Sequence, residues 1–326
     1  MVPIFILFFF CFPNNALAYS FKSLHLPTGS EACAFDSKNG GPYTGLNDGR
    51  IVKYEGPKRG FVDFATTAPN RSKELCDGTD KFDMETGPLC GRPLALEFDH
   101  KTGNLYIVDA FRGLMVVGSG GGVATRLSDK SDGLPYNFPD ALSIDPVTGT
   151  VYYTDIGSLF FTNKNMSEIL VSGYKNGRLL KYDPKTRRST VVLTGLAGPA
   201  GVVVGKDGSF IVFSEYLACR LTRFWLKGPK ANTMEVFVEL PGNPDNLLRT
   251  KSGDFWVAVN IQKLQPRLIS FPLGQKISAR GRILKTVNFY AEYNETYITE
   301  VHEHLGSFFV SSVYANGIGA YRGVKF

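Results

Sequence analysis

The sequence has no long segment in which apolar residues recur every 3.6 positions, so we expect little helix. It also has no runs of like charge, because its 36 Lys and Arg and 30 Asp and Glu residues are scattered along the chain. No basic stripe is interleaved with aromatic residues, which argues against a nucleic-acid partner. A G-x-S-x-G motif, typical of one large class of serine hydrolases, is absent as well.

One apolar block, residues 4–13, opens the chain and is too short to span a bilayer. It is followed by Ala16-Leu17-Ala18, a small-x-small pattern that is typical of a signal-peptide cleavage site. We interpret residues 1–18 as a secretory signal cleaved after Ala18, with an uncleaved anchor as the alternative. Residues 19–326 then form the mature domain, with no membrane span after cleavage.

The mature chain is organised around a short unit that occurs six times. In the middle of the chain the unit is an apolar strand from Pro139, a polar turn that ends at Gly149, and a second apolar strand from Val151 to Asp155. The other copies begin at Ser30, Pro93, Pro199, Pro244 and Tyr297. Short strands repeated at intervals of about 45 to 65 residues are typical of propeller blades rather than of a helical solenoid.

The repeat predicts an all-β, six-bladed β-propeller with four-stranded blades. The last copy ends at Phe326 and is one strand short, so we predict that residues 22–26 supply its outer strand and close the ring. The longest insertion, Ser158 to Asn176, would be either a lid over one face or an ordinary surface loop.

Only five cysteines are present, and Cys11 would leave with the signal. Cys76 and Cys90 enclose a polar loop between the first two copies, and we predict that they form a disulfide in an oxidising compartment. Cys33 and Cys219 lie in different blades and should be buried free thiols. Three N-x-S/T motifs, at Asn70, Asn165 and Asn294, lie between strands and are candidate sites for N-linked glycans.

Several motifs resemble the plant strictosidine synthase-like family, and they cover nearly the whole mature chain. They are residues 48–57, 60–65, 88–93, 105–109, 177–184 and 224–230. The resemblance implies a six-bladed propeller that binds a small-molecule substrate or ligand at the mouth of its central channel. It also implies a plant protein of the secretory pathway, either vacuolar or extracellular.

Strictosidine synthase itself joins an amine to an aldehyde, with a glutamate as the acid and base of the reaction. In the family this Glu lies four residues before the E-H-x-G turn, which here begins at Glu303, so its place is taken by Thr299. A hydroxyl cannot replace a carboxylate in proton transfer near neutral pH, and the family's neighbouring His falls on Tyr297. We therefore expect no strictosidine formation. Glu300, the next residue, should point to the other side of the strand.

The fold also resembles calcium-dependent lactonases and paraoxonases, which hold a metal where the inner strands begin. The equivalent places here carry Glu31, Asp140, Asp245 and Asn246, while Ala200 replaces an Asn of that group. An oxygen-only set of this kind suits Ca²⁺, which would polarise an ester or lactone carbonyl for attack by water. Single Asp or Asn residues at strand starts are also common as turn residues.

Three functions therefore remain open. The first is a metal-assisted hydrolase of an ester or lactone, and the second is a non-enzymatic binding or scaffold protein. The third is an amine–aldehyde condensation that uses another carboxylate. His302 and His304 have the spacing of a zinc pair, but no third ligand lies near them in the sequence, and we interpret them as turn residues.

Overall fold

The computed structural model of the chain describes residues 19–80, 84–157, 172–263, 269–294 and 296–323. Six sheets are arranged one after another along these residues, and in each of them four strands pair antiparallel to form a blade. The six-bladed β-propeller predicted from the repeat is therefore confirmed.

The blades are numbered in chain order, and their strands are listed from the innermost outwards. Blade I contains β2 (Cys33–Ala34), β3 (Tyr43–Gly45), β4 (Arg50–Tyr54) and β5 (Phe61–Thr66). Blade II contains β6 (Pro93–Phe98), β7 (Leu105–Asp109), β8 (Gly113–Val117) and β10 (Thr125–Ser128). Blade III contains β13 (Pro139–Ile144), β14 (Val151–Asp155), β15 (Gly177–Asp183) and β16 (Arg188–Leu196).

Blade IV contains β17 (Val202–Val204), β18 (Phe210–Glu215), β19 (Arg220–Trp225) and β20 (Met234–Glu239). Blade V contains β21 (Asn243–Arg249), β22 (Phe255–Lys263), β23 (Ile269–Ile277) and β24 (Ile283–Asn288). Blade VI contains β25 (Glu300–His304), β26 (Ser307–Ser311), β27 (Gly317–Arg322) and β1 (Ser20–His25).

Three further short strands lie outside the four-stranded blades. β9 (Gly122–Val123) pairs in parallel with β5 and adds a fifth strand to blade I, while β11 (Lys130–Ser131) and β12 (Leu134–Pro135) form a small hairpin. The helices of the described residues are single turns, namely α1 (Lys73–Cys76), α2 (Gly87–Cys90), α3 (Tyr290–Tyr293) and a 3-10 turn at Tyr216–Ala218. None of these helices has the length and apolar character needed to cross a bilayer.

The N-terminal strand closes the ring, as predicted. β1 pairs antiparallel with β27 over six residue pairs, from Ser20 opposite Arg322 to His25 opposite Gly317. Leu26 follows this strand, is fully buried, and packs with residues of blade I. Strand pairing and burial together join the two ends of the described chain.

Packing between blades supplies the core. Within the described residues, six hydrophobic clusters are each shared by two neighbouring blades, and together they run around the ring. Alternate side chains of a strand point to opposite faces of its sheet, so each blade contributes to two of these clusters. Removal of apolar surface between adjacent sheets is therefore the main force that holds the blades in place.

The repeat's turn glycines have a geometric cause. In five of the six copies the glycine between the first and second strand has a positive φ, between 66° and 95°. Side chains other than glycine seldom adopt that conformation. The residues are Gly103, Gly149, Gly208, Gly253 and Gly306.

Candidate functional site at the mouth of the channel

The inner strands of the six blades all begin at one end of the central channel, which we call the mouth. The second residues of the six aligned starts are Glu31, Leu94, Asp140, Ala200, Asp245 and Ile298, and Thr299 follows Ile298 directly. Most of these starts carry a proline immediately before the second residue, at a position where a strand tolerates one. The repeat therefore brings residues from six distant parts of the sequence to one opening.

Acidic side chains at the ends of second strands hold several of these starts in place. Asp109 accepts a hydrogen bond from the backbone N–H of Arg92 at 2.7 Å, and Asp155 accepts one from Phe138 at 2.8 Å. Glu215 accepts one from Ala197 at 3.2 Å. In each case the acid binds the segment that leads into the inner strand of its own blade. These contacts, which we term the buttress bonds, give all three acids a structural role.

Glu31, Asp140, Asp245 and Asn246 lie close together at the mouth. The side-chain amide of Asn246 donates to Glu31 Oε1 at 3.3 Å. Burial raises the pKa of Glu31 to about 8, an effect that Arg92 opposes and Glu300 reinforces. Burial also raises the pKa of Asp140 and Asp245, and the charge of Glu31 adds to both shifts. The four predicted residues thus share one electrostatic environment.

The carboxylate oxygens at the mouth do not all lie within 4.8 Å of one another. Among the described residues, one group of three His, Cys, Asp or Glu side chains has all its ligand atoms within 4.8 Å of one another, and the mouth carboxylates are not that group. Opposite ligands of Ca²⁺ lie about 5 Å apart. The ligands of one Ca²⁺ can therefore be spaced more widely than the atoms of this group of three.

Aromatic side chains surround these carboxylates. Tyr216 is buried and accepts a hydrogen bond from Gln262 at 2.8 Å, while Tyr314 is exposed and packs against Tyr297 with ring centroids 5.8 Å apart. The hydroxyl of Tyr297 is buried without a hydrogen-bond partner in the described residues. Burial raises the pKa of Tyr216, and the charge of Asp245 adds to that shift. Loss of water around the Tyr314 hydroxyl, together with the charges of Glu31 and Asp245, raises the pKa of that group too, although the side chain as a whole is exposed. All three tyrosines are therefore neutral near pH 7.

The loop closed by the disulfide lies beside this opening. Cys76 and Cys90 are bonded, with Cα atoms 5.5 Å apart, which confirms the predicted pair. Asp80 within the loop accepts a hydrogen bond from Asn47, and its charge raises the pKa of Arg92 against the lowering effect of burial. The disulfide thus fixes a loop in which the Asp80 carboxylate interacts electrostatically with Arg92 at the mouth. Cys33 and Cys219 are free, as expected, but Cys33 is buried whereas Cys219 is only partly buried.

Thr299 occupies the place of the family's catalytic Glu, and its surroundings are those of a structural residue. It is buried, and its hydroxyl donates to the backbone carbonyl of Glu31 at 2.5 Å. We predicted that Glu300 would point to the opposite side of the strand from Thr299. That prediction was wrong, because both side chains bind backbone groups of blade I. The Glu300 carboxylate accepts a hydrogen bond from Cys33 N at 2.8 Å, and its charge raises the pKa of Glu31 and Asp245. β25 begins at Glu300, so strand alternation cannot be extrapolated from Thr299.

A second group, deeper in the channel, was not found from the sequence. Cys33, Glu300 and His302 are the three residues whose ligand atoms all lie within 4.8 Å of one another. Glu97 lies in the same part of the channel, where burial raises its pKa to about 7. No local motif signals the group, because Cys33 and Glu300 are 267 positions apart. His304 does not join it, since its ring stacks on Phe35 with centroids 3.7 Å apart.

The far end of the channel, where the inner strands end, opens into a cavity of about 670 Å³. Cys33, Glu97 and His302 contribute to its inner part, while Lys251 and Ser252 belong to the turn between β21 and β22. The predicted metal ligands of the mouth do not line this cavity. The two groups of polar residues therefore occupy different levels of the channel.

The candidate glycosylation sites are only partly described. Asn70 and Asn294 are exposed, which glycan attachment requires, and their modification stays a prediction. Asn165, most of the segment 158–176 and the predicted signal peptide lie outside the described residues.

The chain is similar in sequence to known proteins. A family model described as strictosidine synthase matches residues 140–229. The chain is 39% identical to protein strictosidine synthase-like 12 of Arabidopsis thaliana over 300 residues, which cover 90% of this chain and 87% of that protein. It is 37% identical to strictosidine synthase of Catharanthus roseus over 292 residues, or 88% and 82% of the two chains.

Among solved structures, a gluconolactonase of Xanthomonas campestris superposes with a TM-score of 0.65 at 14% identity, covering 94% of this chain and 90% of the other. The calcium-binding protein regucalcin of Agrobacterium tumefaciens superposes with a TM-score of 0.62 at 14% identity, covering 94% of each chain. At such low identity, these superpositions establish the shared propeller fold alone.

Proposed function

This chain belongs to the strictosidine synthase-like family, and from that premise we propose that it is a metal-assisted hydrolase of an ester or lactone rather than a strictosidine synthase. The observation that carries the proposal is the convergence of Glu31, Asp140 and Asp245 at the mouth, with Asn246 hydrogen-bonded to Glu31. The likeness of the fold to a gluconolactonase and to a calcium-binding protein supports the proposal by analogy only.

The charges at the mouth favour a cation. Each carboxylate is buried, and neighbouring carboxylates raise its pKa further, so the ionised forms are destabilised without a nearby positive charge. Arg92 opposes the shift for Glu31, but it does not appear among the main influences on Asp140 or Asp245. A divalent cation bound by oxygen ligands would relieve the repulsion among all three groups.

In such a site Glu31, Asp140, Asp245 and Asn246 would hold a Ca²⁺ ion, with water in place of the ligand that Ala200 lacks. The bound cation would polarise a carbonyl oxygen and so favour attack by water. The chain's own residues would bind the rest of the substrate. Tyr297 and Tyr314 offer aromatic faces at the opening, which suit an ester or lactone with an apolar or ring-shaped body.

Condensation of an amine with an aldehyde is less well supported. Thr299 offers no acid or base near neutral pH, and its hydroxyl is already bound to Glu31 O. Glu300 is the nearest substitute, but its carboxylate accepts a hydrogen bond from Cys33 N. Incubation of the protein with tryptamine and secologanin tests this directly, and we expect no strictosidine to form.

The proposed ion is tested by thermal unfolding with and without Ca²⁺ after treatment with a chelator. At a Ca²⁺ concentration of 100 times Kd, a ligand that binds only the folded protein stabilises it by about 2.7 kcal/mol. We expect an increase in Tm for the wild type and none for Glu31→Gln or Asp245→Asn. Glu239→Gln, a change at an exposed site of blade IV, should behave like the wild type.

Hydrolysis is tested with a panel of esters and lactones in the same Ca²⁺ and chelator conditions. Turnover that requires Ca²⁺ and is lost in Asp245→Asn is the expected result. If Ca²⁺ produces neither a Tm shift nor heat in calorimetry, the metal proposal is wrong. Binding of small molecules without turnover would instead favour a non-enzymatic binding or scaffold protein.

A further inference from the structure

We propose that Cys33, Glu300 and His302 form a second metal site, which binds a thiophilic divalent cation such as Zn²⁺. This site lies between the inner strands of blades I and VI, below the mouth, and differs from the proposed calcium site in every ligand. It therefore goes beyond the proposed hydrolase and stands whether or not the mouth binds a cation.

The distances between ligand atoms fit a small four-coordinate ion. Cys33 Sγ lies 3.9 Å from His302 Nδ1, and Glu300 Oε1 lies 3.7 Å from the same nitrogen. A tetrahedral zinc site with ordinary bond lengths separates sulfur, nitrogen and oxygen ligands by about 3.3 to 3.6 Å. The two distances to His302 Nδ1 need to shorten by only a few tenths of an ångström to match such an ion.

The types of ligand favour zinc over calcium. A thiolate and an imidazole are soft or borderline donors, which first-row metals such as Zn²⁺ prefer, whereas Ca²⁺ takes oxygen ligands. Cys33 and Glu300 are almost fully buried, and the His302 side chain is only 20% exposed. Burial of three donors around one point is unlike the scattered acidic groups of an ordinary protein surface.

The present hydrogen bonds of the group are compatible with metal binding after one rearrangement. His302 Nδ1 is 3.0 Å from the backbone carbonyl of Cys33, so in the metal-free protein this nitrogen carries the proton and donates. A metal on Nδ1 would move that proton to Nε2. Burial and the charge of Glu300 raise the pKa of the Cys33 thiol, and a bound cation would displace its proton as well.

The site would keep one position open. Three protein ligands with a free fourth position are typical of catalytic rather than purely structural zinc sites. Cys33 and His302 both line the cavity of about 670 Å³ at the far end, so the open position would be reached from that side. Glu97 lines the same cavity and is close enough to His302 and Glu300 that their charges shift its pKa. Glu97 therefore lies on the side from which a fourth ligand would enter.

The experiment compares Zn²⁺ binding by calorimetry in the full chain, after metal removal, for four variants. We expect one Zn²⁺ per wild-type chain, and a loss of affinity of at least about 100-fold in Cys33→Ser and in His302→Ala, more than is usual for an outer-shell partner. Cys219→Ser changes the other free cysteine, and His304→Ala changes the other histidine of β25. Both should bind Zn²⁺ as the wild type does.

Substitution of Co²⁺ gives an independent readout. A thiolate-to-cobalt charge-transfer band, together with the visible spectrum of a four-coordinate ion, should appear in the wild type and vanish in Cys33→Ser. The proposal fails if wild-type affinity for Zn²⁺ is no higher than that of Cys33→Ser, or if the thiolate band is missing. His302→Ala decides the question should Cys33→Ser not fold.

The two metal proposals can fail separately. Asp245→Asn should lose the Tm shift caused by Ca²⁺ and keep Zn²⁺ binding, whereas His302→Ala should do the reverse. Loss of Zn²⁺ binding in Asp245→Asn, with His302→Ala unaffected, would place zinc at the mouth and overturn the second site.

Discussion

Glu97 is a single side chain that should make the stability of the whole protein depend on pH. Its carboxylate accepts a hydrogen bond from Ile144 N at 3.0 Å, across the boundary between blades II and III. Burial raises its pKa from 4.5 to about 7, although Arg249 opposes the shift. The folded protein therefore holds this proton more tightly than the unfolded chain does.

From this shift we predict that the protein loses stability as pH rises from about 4.5 to about 7, because deprotonation is harder in the folded state. The expected loss is on the order of 1 to 2 kcal/mol, less than the full shift implies since the cavity gives the side chain some access to water. Chemical denaturation across this pH range should show the decline. In Glu97→Gln, where no proton is exchanged, that part of the decline should disappear, and a wild-type curve equal to the mutant curve would contradict the prediction.

Single residues also show where sequence reasoning worked and where it did not. Glu31, Asp140 and Asp245 could be aligned because each occupies the same position of the repeat, and position in a repeat determines the depth along the channel and the distance from its axis. Cys33 and His302 could not be paired in this way, because they occupy different positions of their copies. Their contact depends on the side-chain directions of two adjacent strands, which the repeat pattern alone does not give.

At the scale of elements, β1 closes the ring, because it supplies the outer strand of blade VI from the opposite end of the chain. This closure could be predicted from the sequence, since the last copy was one strand short. The pairing of β9 with β5 could not, because a two-residue strand from blade II carries no pattern that names its partner.

We predict that Leu26→Ala lowers the free energy of unfolding by about 2 to 5 kcal/mol, the usual cost of emptying a fully buried leucine site. Leu26 is 0% exposed and packs between blade VI and blade I, so the cavity would lie at the closure itself. Denaturant titration measures the effect. The same change at Leu284, which is 52% exposed on β24, should cost less than about 0.5 kcal/mol. Equal losses in the two variants would mean that closure does not depend on this packing.

At the scale of the whole molecule, the channel has two ends with different chemistry. The mouth gathers the carboxylates and tyrosines, and the far end carries the cavity lined by Lys251 and Ser252. The number and order of blades could be predicted from the repeat. The cavity could not, because its size depends on how six turns of different lengths pack around the axis.

If hydrolysis takes place at the mouth, the two ends should respond differently to substitution. We expect Tyr314→Ala to lower kcat/KM roughly 3- to 10-fold, the range set by the loss of one aromatic contact with substrate. Ser252→Trp, which fills part of the far cavity, should leave kcat/KM within about twofold of the wild type. Steady-state kinetics on the best ester or lactone of the panel distinguishes them. The reverse pattern would move the reaction to the far end.

Because of the buttress bonds at the mouth, the residues that shape the opening differ from the residues that would contact a ligand there. Asp109, Asp155 and Glu215 fix the backbone of three strand starts through main-chain N–H groups, and these bonds do not depend on the side chain that follows. Mutation can therefore replace a residue at such a strand start, as with Ala200, while the backbone around it keeps its form. A lineage built on such a frame is free to exchange one chemistry for another in single steps.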